Sequence, residues 1–257
     1  EDVAACHALA WDLSPTDPRH AYQDEAFACD EGQVASCAAL GHMMLRGIWG
    51  ESDPAKALFY LDGACGAGVV ASCVELALVD RDVGHHDASA TTTLVRLCDE
   101  RRAASACDEV GRMVERGRGF ARDPEAARRL FEHACELGDA AGCGDLGRVL
   151  LPEQGDRARR LLVGACRAHD GASCFLLAEL AKSPAHARAH AERACNLGIA
   201  AACAWVALLV DPDERAPESL SWLDRACDER DADACERLAD RLGSPALRAR
   251  ADRIEAR

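Results

Sequence analysis

The sequence predicts an all-α protein: a right-handed α/α superhelical solenoid of about seven helix hairpins. Three observations predict it. Cysteines recur in pairs at a near-constant period. An aliphatic residue followed by glycine or alanine recurs in register with them. Between these marks, apolar residues follow the i, i+3, i+4 spacing of helices, and strand-like alternation is absent.

The cysteines set the frame. Fourteen of the 15 form seven pairs: Cys29/Cys37, Cys65/Cys73, Cys98/Cys107, Cys135/Cys143, Cys166/Cys174, Cys195/Cys203 and Cys227/Cys235. Six pairs are C-x7-C and one, Cys98/Cys107, is C-x8-C. First members recur at intervals of 36, 33, 37, 31, 29 and 32 residues, which is the signature of a repeat array. Three residues after each second cysteine stands Leu40, Leu76, Val110, Leu146, Leu177, Val206 or Leu238. The next position holds Gly41, Ala77, Gly111, Gly147, Ala178, Ala207 or Ala239. Cys6, with Leu9 and Ala10, fits the same register. It predicts an eighth pair whose first member would precede residue 1, so that the chain begins inside a repeat.

Each repeat reads as a helix starting near the second cysteine, a loop, and a helix ending near the next first cysteine. Asp53-Pro54 opens the helix carrying Ala57, Leu58, Leu61 and Cys65, with an N-cap and a proline in the first turn. Asp123-Pro124 does the same for Ala126, Ala127, Leu130, Phe131, Ala134 and Cys135. From residue 144 on the repeats are shorter, having lost much of the inter-helix loop. The expected organisation is a single solenoid domain over 1–257. Repeats occupy 1–243, the first one truncated, and an Arg-rich capping helix follows Ser244-Pro245 over 244–257.

The spacing within a pair carries a physical constraint. Eight residues of unbroken helix would separate the two Cα atoms by about 12 Å, whereas a disulfide needs about 7 Å or less. A bonded pair therefore requires a turn between its members. Gly32, Gly68, Gly138 and Gly198, three residues after the first cysteine, suit a left-handed helix cap. Arg101, His169 and Arg230 hold that position elsewhere, and those turns must be made differently or at some strain. Small residues before the first cysteines, such as Ala28, Ala64, Ala134 and Ala194, permit close helix approach. Disulfides are the leading reading, with reduced buried cysteines and a metal site as alternatives. Structural zinc prefers ligands two to four residues apart, and no C-x2-C or matching Cys-His cluster occurs. Seven similar pairs in one register read as staples rather than redox-active cysteines, and no C-x-x-C favours a low thiol pKa. Disulfides would place the protein in an oxidising compartment.

The residues that carry a family resemblance are Leu40-Gly41, Arg46-Gly47, Asp53, Lys56-Ala57, Tyr60, Ala64-Cys65 and Gly68. Val110-Gly111, Arg116-Gly117, Gly119, Asp123, Glu125-Ala126-Ala127, Ala134-Cys135 and Gly138 repeat the pattern. They resemble the Sel1-like repeat, a TPR-like unit. With C-x7-C the chain is similar to the cysteine-rich Sel1-repeat proteins, of which the secreted Helicobacter cysteine-rich proteins are the familiar examples. The resemblance covers nearly the whole chain. It implies an α/α solenoid with one disulfide per repeat and a binding or adaptor role. Ankyrin repeats have a similar period, but their T-P-L-H signature is missing.

Composition narrows the function classes. Hydrophobic residues make up 49% of 257, too many for a disordered chain. Aromatics are 4%, so alanine, leucine and valine must build the core. Net charge is −14, and residues 1–100 hold 17 Asp and Glu against 5 Lys and Arg. Such an acidic chain without a basic stripe argues against nucleic acid and anionic lipid as partners. No apolar run approaches the roughly 18 residues of a membrane span. Only Lys56 and Lys182 are lysines, a bias that also speaks against a mitochondrial intermembrane-space assembly factor.

Some proteins of the family are penicillin-binding or β-lactamase-like, but the required motifs are missing. S-x-x-K, S-D-N and K-T-G are absent, and Ser52 to Lys56 is one residue too long. G-x-S-x-G, the P-loop, G-x-G-x-x-G and H-E-x-x-H are absent as well. His85-His86-Asp87 reads as an exposed loop rather than a ligand set, and His186/His190 as a solvated helix face. Trp49 reads equally as a partner anchor or as a cover for a hairpin end. No catalytic residue, cofactor or metal is assigned. The expected function is a non-enzymatic protein-interaction scaffold, secreted or periplasmic, whose concave face binds another protein or peptide. The residues that vary against the fixed frame, just after the second cysteines, are the candidate binding row: His42, Glu75, Glu109, Arg112, Arg148, Phe175, Glu179, Trp205 and Asp240, with Asp108, Asp145 and Glu236 beside them. The alternatives are a penicillin-binding or β-lactamase-like cell-wall protein, and a structural subunit of an envelope assembly.

Overall fold

A computed structural model describes residues 18–47, 53–82 and 87–255. Among them are fifteen helices and no strand. The chain divides into two compact units, 1–137 and 138–257. The first contains α1 (Pro18–Asp30), α2 (Val34–Arg46), α3 (Pro54–Gly66), α4 (Val70–Asp82), α5 (Asp87–Arg101), α6 (Ala104–Arg116) and α7 (Pro124–Glu136). The second contains α8 (Ala140–Leu150), α9 (Gly155–Arg167), α10 (Gly171–Glu179), α11 (Pro184–Asn196), α12 (Ala200–Val210), α13 (Pro217–Asp228), α14 (Ala232–Leu242) and α15 (Pro245–Glu255). Within each unit every helix packs against the next in sequence, as helix-hairpin repeats do. Cys6, with Leu9 and Ala10, lies outside the described residues.

All seven cysteine pairs are oxidised, one disulfide per repeat pair. The bridges Cys29–Cys37, Cys65–Cys73, Cys98–Cys107, Cys166–Cys174, Cys195–Cys203 and Cys227–Cys235 have Cα atoms 4.6–4.8 Å apart. Cys135 and Cys143 are disulfide-bonded as well. Each of the six bridges joins the last turn of one helix to the first turn of the next.

The seven bridges are not equivalent in their surroundings. Cys29, Cys37, Cys65, Cys73, Cys135 and Cys143 are only half-buried. The other four bridges are buried at both ends.

The corner between the two cysteines has a repeated hydrogen-bond scheme. The amide that follows the left-handed residue reaches back to the residue before the first cysteine. Gln33 donates to the Ala28 carbonyl, Val69 to Ala64, Asp170 to Ala165, Ile199 to Ala194 and Asp231 to Ala226, all at 3.0–3.1 Å. The residue in front of that donor has positive φ: Gly68 at +97° and Gly198 at +83°, but also His169 at +69° and Arg230 at +69°. His169 and Arg230 thus make the same turn as the glycines, at the steric expense of a Cβ.

The C-x8-C corner is made differently from the others. Arg101 is the last residue of α5, and Arg102 takes the left-handed conformation at φ +49°. The closing bond runs from Ala103 to the Leu97 carbonyl, one residue longer than at the other corners. The extra residue is absorbed in the turn, so α5 and α6 keep the register of their neighbours.

The aliphatic-Gly/Ala position is explained by close approach. A Cβ added at Gly111 would lie 2.7 Å from the fully buried Phe131 ring of α7. A Cβ added at Gly41 or Gly147 would likewise lie 2.9 Å from the Cγ of Leu61 or Leu162. The core is built mainly from alanine, leucine and cystine. In the second unit Leu162, Leu177, Leu223 and Leu238 pack with Ala194, Ala202, Ala226 and the half-cystines 166, 174, 195 and 203. Helix α15 lays Ala251, Leu247 and Ile254 over Cys227 and Cys235.

Candidate functional site

The proposed row is occupied chiefly by contacts between repeats. His42 on α2 sits 2.5 Å from Glu75 on α4, through Nδ1 and Oε1. Arg81 at the end of α4 pairs with Glu109 on α6, with both side chains nearly buried. Arg112 reaches back along α6 to Asp108 at 2.9 Å and to Glu109 at 3.4 Å. Asp108 is only 3% exposed, which a carboxylate tolerates when cations face it. The result is a four-residue network, Arg81, Asp108, Glu109 and Arg112, within the first unit.

The second unit uses aromatic and ionic versions of the same contact. Phe175 on α10 and Trp205 on α12 meet edge to face, centroids 5.6 Å apart, each half-buried. Arg148 bonds Asp145 in its own helix at 3.0 Å. Asp240 pairs with Arg248 of α15. Arg237 on α14 pairs with Glu214, which is 3% exposed and has φ +51°. Asp211 holds the loop that carries Glu214. Its carboxylate accepts from the amides of Arg215 and Ala216 at 2.7 and 2.8 Å, and these bonds hold its pKa below the usual carboxylate value. Glu179 and Glu236 are exposed.

A second pattern lies on the helices that end at the first cysteines. Arg193 on α11 donates to the Cys166 and Arg167 carbonyls at the end of α9. Arg225 on α13 donates to the Cys195 carbonyl and, at 2.7 Å, to the Asn196 side chain at the end of α11. Both cations meet the negative end of a helix. The same register position, two residues before the first cysteine, is glycine in two repeats. In α3 and α9 it holds Gly63 and Gly164, each with open space where a side chain would stand. Gly63 thus adds no side chain over the half-buried Cys29–Cys37 bridge, whereas Cys65–Cys73 is half-buried with Arg96 beside it. A groove of about 280 Å³ beside the half-buried Cys65–Cys73 bridge is lined by Arg96, Thr93, Glu100 and Arg101.

The histidine readings resolve unequally. His186 Nδ1 is 2.9 Å from the Ser183 hydroxyl, which caps α11. Burial, with help from His186 and Arg193, pulls the His190 pKa below the usual imidazole value. His85, His86 and the side chain of Asp87 lie outside the described residues, as does Trp49. Sequence reasoning missed one cluster. Among the described residues, Cys98, Cys107 and His133 place their ligand atoms within 4.8 Å of one another.

The Sel1 repeat family matches residues 34–69, 104–139 and 172–199. The chain carries Sel1 repeats. The matched segments begin at the start of a second helix and run through the next first cysteine to the following turn, or nearly so. No curated protein matches the sequence significantly. Among solved structures, a protective antigen of uropathogenic Escherichia coli with an SLR fold is 18% identical with TM-score 0.55. The match covers 94% of this chain and 56% of that one. A Sel1 repeat protein from Oxalobacter formigenes is 20% identical with TM-score 0.55, covering 93% and 76%. Yeast Tom70 is 15% identical with TM-score 0.59, covering 99% and 59%. The chain thus spans little more than half the length of the first and third. These likenesses show the fold, a Sel1/TPR-like array of helix hairpins.

Proposed function

We propose that this Sel1-repeat chain is a non-enzymatic scaffold that binds a protein or peptide along the row of second-helix residues, on a concave face of a single solenoid over 1–257 capped by 244–257. The observation that carries the reading is the row itself. One invariant backbone frame presents a different side chain at each repeat, from the His42–Glu75 pair to the Phe175–Trp205 pair. Half-buried aromatic edges next to exposed carboxylates such as Glu179 suit recognition of an extended segment. The internal pairs hold those side chains in fixed rotamers, which lowers the entropy lost on binding.

An oxidising location, secreted or periplasmic, belongs to the same proposal. Seven disulfides would resist reduction only there. Among the described residues no helix is long and apolar enough to cross a membrane. The type resembles the Helicobacter cysteine-rich proteins.

The test is affinity capture from the native envelope with wild type, Trp205→Ala and Glu179→Lys. Both variants should retain helicity and lose most of the captured partner. Undiminished capture by both would refute the row as the binding face. Hydrolysis of nitrocefin or covalent penicillin labelling would instead favour a cell-wall enzyme.

A further inference from the structure

In four repeats the residue two positions before the first cysteine lies beside the cysteine pair of the preceding repeat. Arg193 reaches the Cys166 carbonyl and Arg225 the Cys195 carbonyl. Arg96 lines the groove that holds Cys65 and Cys73. In α7 that register position holds His133, two residues before Cys135. It is the one imidazole in a series otherwise made of Phe27, Gly63, Arg96, Gly164, Arg193 and Arg225. A metal ligand thus stands where the other repeats have arginine, glycine or phenylalanine.

His133 meets an unusual pair. Cys98 and Cys107 are 3% and 0% exposed, are the only C-x8-C pair, and are closed by the longer Ala103-to-Leu97 turn. Their sulfurs and a His133 ring nitrogen lie within 4.8 Å of one another. We propose that Cys98, Cys107 and His133 form a redox-gated site for a thiophilic divalent cation of the zinc class. It is closed while the disulfide stands and opens on reduction. This goes beyond the partner-binding reading and does not rest on it.

The chemistry balances with a dithiol reductant. One of its thiolates attacks a sulfur of the Cys98–Cys107 bond, which breaks. The resulting mixed disulfide resolves through the second thiol. Two electrons pass to the cysteines, and the reductant leaves as its own disulfide. The cation then takes two thiolates and the neutral imidazole nitrogen, and the thiol protons go to solvent. Tetrahedral zinc, with bonds of about 2.3 Å to sulfur and 2.0–2.1 Å to nitrogen, sets ligand atoms about 3.3–3.8 Å apart. Cα atoms 4.7 Å apart allow that sulfur spacing by side-chain rotation alone. Three protein ligands leave a fourth position for water or an added ligand, and binding would hold the pair reduced. Arginine at the same register in α11 and α13 could not ligate.

The experiment uses the full chain under anaerobic, graded dithiol reduction, with Zn²⁺ or Co²⁺ alone as the probe. Differential alkylation and peptide mass spectrometry read each cysteine, and circular dichroism follows helicity. Zn²⁺ should shield Cys98 and Cys107 from alkylation and slow their reoxidation, while Cys195 and Cys203 respond little. Co²⁺ should give a thiolate charge-transfer band. His133→Arg, which restores the side chain of the other repeats, should weaken Co²⁺ binding at least about tenfold without loss of helicity. Equal shielding of all pairs, or unchanged binding by His133→Arg, would overturn the proposal. So would loss of helicity before Cys98 and Cys107 become free, because the site needs His133 held against them.

Discussion

At the scale of the residue, the corner turns carry a side-chain cost at three positions, Arg102, His169 and Arg230. A left-handed conformation costs a residue with a Cβ about 1–2 kcal/mol, and His169 and Arg230 adopt it at φ +69° where Gly68 and Gly198 do so freely. Glycine gives back part of that gain through its more mobile unfolded state. His169→Gly and Arg230→Gly should therefore each stabilise the second unit by about 0.5–1 kcal/mol in urea denaturation. The sequence shows which positions depart from glycine, but not whether the backbone follows the side chain or the turn. The hydrogen bond to the preceding alanine decides it, because losing that bond at a buried corner would leave a carbonyl unsatisfied.

His190 gives a second test at this scale. Burial, then His186 and Arg193, lower its folded pKa below the usual 6.5. The unfolded chain therefore binds the proton more readily than the folded one. The stabilising effect of neutral His190 is full above about pH 6.5 and is lost as pH falls from there through the lowered native pKa. The melting temperature should decline over that window. His190→Gln should flatten this part of the profile, as followed by circular dichroism in buffers stepped downward from neutrality.

At the scale of the element, the repeat frame was legible because each mark answers a constraint visible in one dimension. Proline after an N-cap residue opens α3, α7 and α11. The Gly or Ala four residues after the second cysteine marks the closest helix approach. Gly111→Ala pushes a methyl to within 2.7 Å of the fully buried Phe131 ring. Overpacking of this kind costs about 1–3 kcal/mol, so the variant should unfold earlier in urea.

What the sequence hid at this scale is partnership across a whole repeat. His42 and Glu75 are 33 residues apart, Arg81 and Glu109 are 28, and Phe175 and Trp205 are 30. Read along the chain, these residues only vary. Read across helices, they are mutual partners, so variation at one is tied to variation at the next. The difference between the half-buried Cys37 and Cys143 and the buried Cys174 and Cys203 was hidden for the same reason, since what covers a bridge comes from the next repeat. So was the Cys98–Cys107–His133 cluster. A search for ligands two to four residues apart cannot find a histidine that reaches back one full repeat. The position two before each first cysteine was the available signal.

At the scale of the whole molecule, the structure is an assembly of local decisions. Each helix packs mainly on its sequence neighbours within units 1–137 and 138–257, and each described disulfide closes a loop of only nine or ten residues. In the chain-entropy account a nine-residue loop is worth about 2–3 kcal/mol. In a linear array that stabilisation is felt by the repeat and its neighbours rather than by the whole chain. Cys166→Ser combined with Cys174→Ser should thus accelerate amide exchange in α9 and α10 by about 30–150-fold, the equivalent of that energy. Amides of α1 to α3 should change little. A uniform acceleration along the chain would mean that all repeats open together, and that the staples act on one cooperative fold. A local response would mean that each bridge guards its own corner. A repeat could then be reduced or occupied by a ligand at one bridge while the binding row elsewhere stays in place.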